Sequence, residues 1–209
     1  MYKIAVDIGG TNIKAAVINK QLEITDYKKI DTPDNQSVFI IDEVYRLIAQ
    51  LIEKHQLSDP PIGISSAGVV DSDLREIVYT GPTIQNFDGT NFKKALADLS
   101  SDITVHNDVD AALLGELSFH DYQEDTIFCL TLGTGIGGAF YHAQLGVYGG
   151  ERHRANEIGY LLYRASDNKT FEQRASTSAL KQLMAAHGFE HGTDAVSYTH
   201  LTLPTTPYV

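Results

Sequence analysis

Apolar positions open the chain in two short runs, Tyr2 to Val6 and Ala15 to Ile18, on either side of Asp7-Ile8-Gly9-Gly10-Thr11-Asn12-Ile13-Lys14. Two apolar runs around a Gly-Gly pair predict a hairpin of two buried strands. Gln21 to Ile24 and Tyr27 to Ile30 read as a third strand and its approach, and Thr32-Pro33-Asp34-Asn35 as a turn. Over residues 37–55 the period lengthens. Phe39/Ile40, Val44, Leu47/Ile48 and Leu51/Ile52 recur at helical spacing, with Asp42, Glu43, Arg46 and Lys54 on the opposite face. Ile62-Gly63-Ile64 and Ile103-Thr104-Val105 predict short strands, and residues 80–91 an irregular loop. Residues 91–100 predict a helix with Asn91 as N-cap and Phe92, Leu96 and Leu99 on one face. An Ala/Leu-rich helix is expected from about Val109 to Leu117. Thr126 to Leu132 predicts a buried strand and Ala139 to His142 its partner. Residues 171–187 predict a helix carrying Leu180, Leu183 and Met184, closed by Gly188.

Composition narrows the class. The chain has 209 residues, enough for one ordinary domain or two small lobes. A net charge of −11 disfavours nucleic acid and anionic membranes, so any phosphate ligand must be held by local amides and a cation. The single cysteine, Cys129, excludes an intramolecular disulfide framework and a multi-cysteine zinc site. Lys3 and Asp7 interrupt the first apolar run, so no signal peptide is expected, and no apolar run approaches the length of a membrane span. The expectation is a cytoplasmic protein with no membrane partner. Residues 196–209 lack any acidic residue, Lys or Arg and are rich in Thr and Pro. They read as a non-native tail and are set aside from the fold.

The chemistry is concentrated in a few stretches. Gly9 and Gly10 have no Cβ, so an anion can approach the backbone closely. Thr11 adds a hydroxyl, Lys14 a cation and Asp7 a carboxylate, which together suit a polyphosphate and its hydrated divalent ion; an ordinary tight hairpin would read the same way. The spacing is not that of a P-loop. A second glycine run, Gly133-Thr134-Gly135-Ile136-Gly137-Gly138, also lies between two strands. No helix follows it directly, which argues against a dinucleotide fold and for a duplicated architecture with phosphate held between two lobes. Ser65-Ser66-Ala67-Gly68 and His106-Asn107-Asp108 each end a predicted strand, where α/β folds bind ligands. Asp108 would otherwise be a simple helix cap. His187, His191 and His200 follow no metal-ligand spacing.

Five motifs then occur in a fixed order: Asp7-x-Gly9-Gly10-Thr11-x-x-Lys14, Ala67-Gly68-x-Val70-Asp71, Asn107-Asp108, Leu132-Gly133-Thr134-Gly135-x-Gly137-Gly138 and Asn156-Glu157-x-Gly159. In this the chain resembles the ROK family of sugar kinases and sugar-responsive repressors, over about residues 1–188. The resemblance implies an α/β, two-lobed actin-like ATPase (ribonuclease H-like) fold whose second lobe is incomplete. It divides the chain into an N-terminal lobe, 1–118, a partial C-terminal lobe, 119–195, and the tail.

It also implies phosphoryl transfer from ATP, with Mg2+, to a sugar hydroxyl. Asp108 is then the general base. Gly68, Asn86, Asn107, Asp108 and Glu157 fall at sugar-binding positions, with Glu172 a further match. Asp7, Gly9, Gly10, Thr11 and Lys14 form the first phosphate element, Asp7 also holding the metal through water. Gly133, Thr134, Gly135, Gly137 and Gly138 form the second. The family's structural zinc is not expected, because Tyr160 replaces its histidine and the cysteine run is missing; this resembles the zinc-less β-glucoside kinase-like subgroup. The resemblance leaves a homodimer open for the full-length protein. Nothing in this sequence precedes the first strand, and the expectation is no DNA binding. The competing readings are a non-catalytic sugar sensor of the same fold, an inactive kinase fragment, and an actin-like ATPase acting on a protein partner.

Overall fold

In the computed structural model, which describes residues 2–80, 84–150, 152–153, 156–164 and 168–190, with the side chains of 162–164 excepted, the first hairpin forms as its pattern requires. Strand β1 (Lys3–Ile8) pairs antiparallel with β2 (Asn12–Ile18), placing Asp7 opposite Lys14 and Ile8 opposite Ile13. The third strand is one continuous element, β3 (Ile24–Asp31), antiparallel to β2. Helix α1 (Ile40–His55) then crosses over to β4 (Ile62–Ser66), which runs parallel to β1. Its inward stripe is Ile40, Val44, Leu47, Ile48 and Leu51; Phe39 precedes the helix and is exposed. The helix start is held by Asn35, whose Oδ1 accepts the Ile40 N–H at 2.8 Å. The Asn35 amide nitrogen donates to the carbonyls of Gln85 and Asn86, both at 2.9 Å.

Two strands that the pattern does not single out, β5 (Val69–Asp71) and β6 (Glu76–Tyr79), form a small hairpin. Asn91 caps α2 (Phe92–Ala95) by accepting the Lys94 N–H, but the helix is a single turn rather than a run to residue 100. Strand β7 (Ile103–Asn107) completes a five-stranded sheet of order β3-β2-β1-β4-β7. One core gathers Ile4, Val6, Ile8, Ile13, Val17, the α1 stripe, Phe87, Phe92 and Val105.

Helix α3 (Asp108–Phe119) leads to a second sheet of β8 (Thr126–Leu132), β9 (Ile136–His142) and β10 (Gly146–Val147), ordered β10-β9-β8. The division expected after residue 118 falls at the end of α3, yet Val109 and Leu113 of this helix pack with Ala139 of the second sheet. The expectation of a buried β8 is corrected. It is an edge strand among the described residues, and Phe128, Leu130 and Leu132 are exposed. A turn of 3-10 helix (Ile158–Tyr160) precedes a short pair, β11 (Leu162–Arg164) and β12 (Lys169–Thr170).

The helix expected over 171–187 is two helices, α4 (Glu172–Ala175) and α5 (Thr177–Ala186). Ser176 breaks them because its side chain caps α5 by accepting the Ala179 N–H. Leu180 and Leu183 lie exposed. Gly188, at φ 76°, ends α5, with the Phe189 N–H returning to the Met184 carbonyl at 2.9 Å. No described helix is long and apolar enough to cross a membrane. His191, His200 and the tail lie outside the described residues.

Candidate active site

A cleft of about 1020 Å³ lies between the two glycine turns. Gly9 and Gly10 line one side, Gly133 to Gly138 another, and Gly68, Asn107, Asp108 and Glu157 the floor and walls. The parallel alignment of β1, β4 and β7 explains the convergence. It sets Asp7 beside Ser65 and Ser66 beside Asn107, so three strand ends open at one edge.

The first turn is tight. The Gly9 N–H donates to the Asn12 carbonyl at 3.0 Å, and the Gly9 carbonyl accepts from the Thr32 hydroxyl at 2.6 Å. Cross-strand pairing puts Lys14 Nζ 2.8 Å from Asp7 Oδ2, and the Ser65 hydroxyl donates to Asp7 Oδ1 at 3.2 Å. The carboxylate raises the proton affinity of Lys14 first through that hydrogen bond and then through its charge. Asp7, Thr11 and Lys14 stand beside the cleft lining rather than in it. Thr11 is exposed, and its carbonyl accepts the Thr32 N–H at 2.9 Å.

Asn107 and Asp108 divide their labour. Asn107 caps α3: its Oδ1 accepts the Val109 N–H at 2.9 Å and the Asp110 N–H at 3.4 Å. Its amide nitrogen donates to the Gly68 carbonyl at 2.7 Å. Gly68 needs to be glycine, since φ is 100° and a Cβ would sit 2.7 Å from the Tyr79 carbonyl oxygen. Asp108 Oδ1 shares the Val109 N–H, accepting it at 3.0 Å, and Asp108 also lines the cleft. It is accessible by surface area, but protein encloses it on its flanks. That enclosure raises its pKa above the usual carboxylate range, the Val109 N–H opposes the shift, and the nearby Asp7 charge adds to it.

Behind Asp108 lies a narrow polar recess walled by Gly68, Asn107, Asp110, His153, Asn156 and Glu157. Burial, with the charges of Asp108 and Glu157 adding and His153 opposing, pushes the Asp110 carboxyl up to about 6. Sequence reasoning passed over Asp110; the available signal was a second acid on the first turn of the same helix. It passed over Thr80 too, which lines the cleft because the Ile84 carbonyl and Asp88 bind its hydroxyl.

Of the remaining expected residues, Glu157 lines both cleft and recess, and Glu172 lines the cleft with Oε2 accepting the Ile136 N–H at 3.0 Å. Tyr160 joins the lining. Asn86 does not come to this set. Its φ of 54° marks a left-handed turn, its side chain is exposed, and its carbonyl is the group in use. Gly137 and Gly138 are packed against protein: a Cβ would meet Val109 Cγ2 at 2.5 Å and the Asn156 carbonyl oxygen at 2.8 Å, respectively.

The ROK family model matches residues 3–193. The chain belongs to the ROK family. It is 33% identical over 160 residues to a β-glucoside kinase of Listeria monocytogenes, covering 76% of this chain and 52% of that protein. This ROK chain thus spans about half the length of that relative. Among solved structures, it resembles a ROK glucokinase from Streptomyces griseus in complex with glucose and AMPPNP. The TM-score is 0.73 at 29% identity, over 90% of this chain and 62% of that one. It also resembles a ROK protein from Streptococcus pneumoniae in complex with sucrose. Here the TM-score is 0.75 at 25% identity, over 96% and 68% of the two chains. The α/β, actin-like architecture expected from the motifs is the one these structures share.

Proposed function

We propose that this ROK chain carries the sugar- and phosphate-binding centre of an ATP-dependent kinase that phosphorylates a sugar hydroxyl. The acceptor is a hexose, a β-glucoside or an N-acetylhexosamine. The observation that carries the proposal is the position of Asp108. It stands at the strand-to-helix junction beside the cap residue Asn107 and lines the cleft together with both glycine turns.

A sugar hydroxyl is a weak nucleophile, and a carboxylate that takes its proton as the new bond forms speeds transfer. The raised proton affinity of Asp108 suits that task. Asn107 keeps Gly68 and the start of α3 in register, so the acceptor and base stay aligned. The turn backbone at Gly10, Thr134 and Gly135 offers N–H groups to phosphate oxygens, while the Gly9, Gly133 and Ile136 N–H groups hold the turns in shape. A bound nucleotide would supply the phosphorus to be attacked, and Mg2+ held through water at Asp7 would offset its charge. Asp7 fits the metal through water: its carboxylate is partly exposed beside the Gly9 turn and, among the described residues, is hydrogen-bonded by Lys14 and Ser65. The acidic net charge supports an enzyme without nucleic-acid partners.

A coupled ADP-release assay on the full-length protein, run with glucose, cellobiose and N-acetylmannosamine, tests the proposal. Turnover with at least one sugar is expected, and Asp108→Asn is expected to lower it by about 10²-fold or more while sugar binding persists. Sugar binding by calorimetry with no ADP release would replace the kinase by a sensor. Near-normal turnover in Asp108→Asn would remove Asp108 as the base.

A further inference from the structure

Glu172 stands where two parts of the cleft meet. Its Oε2 accepts the Ile136 N–H of the second glycine turn at 3.0 Å. The carboxylate fits there because two glycines from different segments make room. A Cβ on Gly135 would collide with Oε2, and one on Gly159 would come within 3.3 Å of it. Gly159 belongs to the Glu157–Tyr160 stretch and is itself pressed against the Ile136 carbonyl. The backbone around Glu172 is tied on both sides. The Thr177 N–H donates to the Gly133 carbonyl at 2.8 Å, and the Phe171 N–H donates to the Leu161 carbonyl at 2.8 Å. One seven-residue span, 171–177, therefore grips the glycine turn at its first and fourth residues and also grips the end of the Glu157 loop.

We infer that Glu172 is a positioning residue that couples the two subsites: a sugar seated on the Glu157 loop stiffens the glycine turn that faces phosphate. This rests on the sugar-kinase reading and extends it. Three bodies in mutual contact, with the Glu172 carboxyl group between them, cannot shift independently. Ordering the loop through a bound sugar restricts the turn through Glu172 and Thr177, and by linkage a phosphate ligand in the turn tightens the sugar.

Amide hydrogen exchange of the intact chain reads this directly. Glucose and cellobiose are the probes, and calorimetry establishes in parallel whether each binds. In the unsubstituted protein, saturating sugar is expected to slow exchange across residues 133–138 by roughly fivefold or more. Glu172→Gln keeps an acceptor oxygen and retains the slowing; Glu172→Ala loses it.

Thr177→Pro separates coupling from sugar contact. Thr177 is the first residue of α5, where proline is tolerated, and Ser176 is already extended at ψ 165°. The variant removes only the tie to Gly133, so the slowing shrinks while sugar affinity stays unchanged. Sugar binding without slowing in the unsubstituted protein overturns the coupling alone. So does full slowing in Thr177→Pro, whether Glu172→Ala keeps the slowing or loses sugar binding. If no sugar binds the unsubstituted protein, the kinase reading fails and the coupling with it.

Discussion

The two glycine hairpins look alike in sequence and are built on different supports. In the first, β1 is flanked by β2 and β4, and the last paired residue before the turn, Ile8, is 0% exposed. In the second, β8 has a neighbour on one side only among the described residues. Its last paired residue before the turn, Leu132, is 67% exposed. The first turn is shaped by its own sheet. The second is shaped by what presses on it: Val109 against Gly137, Asn156 against Gly138, and Glu172 against Gly135. A glycine turn can thus be made rigid either by the sheet that carries it or by neighbours that leave no room for a Cβ.

The largest expected contrast lies in the paired residues just named. Ile8→Ala is expected to cost about 2–5 kcal/mol, as truncation in a closed core does. Leu132→Ala is expected to change stability by less than about 0.5 kcal/mol. Urea unfolding of both variants checks this, and an equal loss would mean that β8 is covered in solution.

Next come the turns themselves. Gly138→Ala drives a methyl toward Asn156 and Phe128 and is expected to cost about 1–3 kcal/mol. Gly9→Ala meets nothing nearer than the Asn12 carbonyl oxygen at 3.4 Å, so its effect on stability is expected to stay within about 0.5 kcal/mol. The same unfolding experiment ranks the two, and the reverse order would break the distinction between self-supported and neighbour-supported turns.

The smallest effect concerns charge on the side of the second hairpin. Asp110, with its pKa at about 6 against a usual 3.8, binds a proton more tightly when folded. Its burial therefore costs least below the usual carboxylate range, and stability falls as pH rises toward and through about 6. Asp110→Asn is expected to flatten that fall, seen in melting temperatures taken below and above that pH. An unchanged slope would show that Asp110 is hydrated and its surroundings open.

Much of the first sheet was legible because its signals are local. Val44, Leu47, Ile48 and Leu51 keep helical spacing, and a Gly-Gly pair between apolar runs has few alternatives. The motifs also singled out Gly9, Gly10, Gly68, Asn107, Asp108, Glu157 and the Gly133–Gly138 run, which the fold brings to one cleft, whereas Asp7, Thr11 and Lys14 stand beside it and Asn86 lies apart. What escaped depends on partners distant in the chain. Nothing near Leu132 announces that its strand lacks a neighbour. Nothing near Thr80 announces Gly68 across from it, and Ser176 reads as one more polar helix residue until its hydroxyl is found capping α5. Asn107 and Asp108 could not be told apart by type alone, because either can cap a helix.

Helix α3 begins with Asp108 at the end of β7 and sinks its body, through Val109 and Leu113, into the second sheet. A strut rooted in one sheet and wedged into the other ties the two walls of the cleft together, so Asp108 and the second glycine turn, which Val109 meets at Gly137, are held at a common spacing.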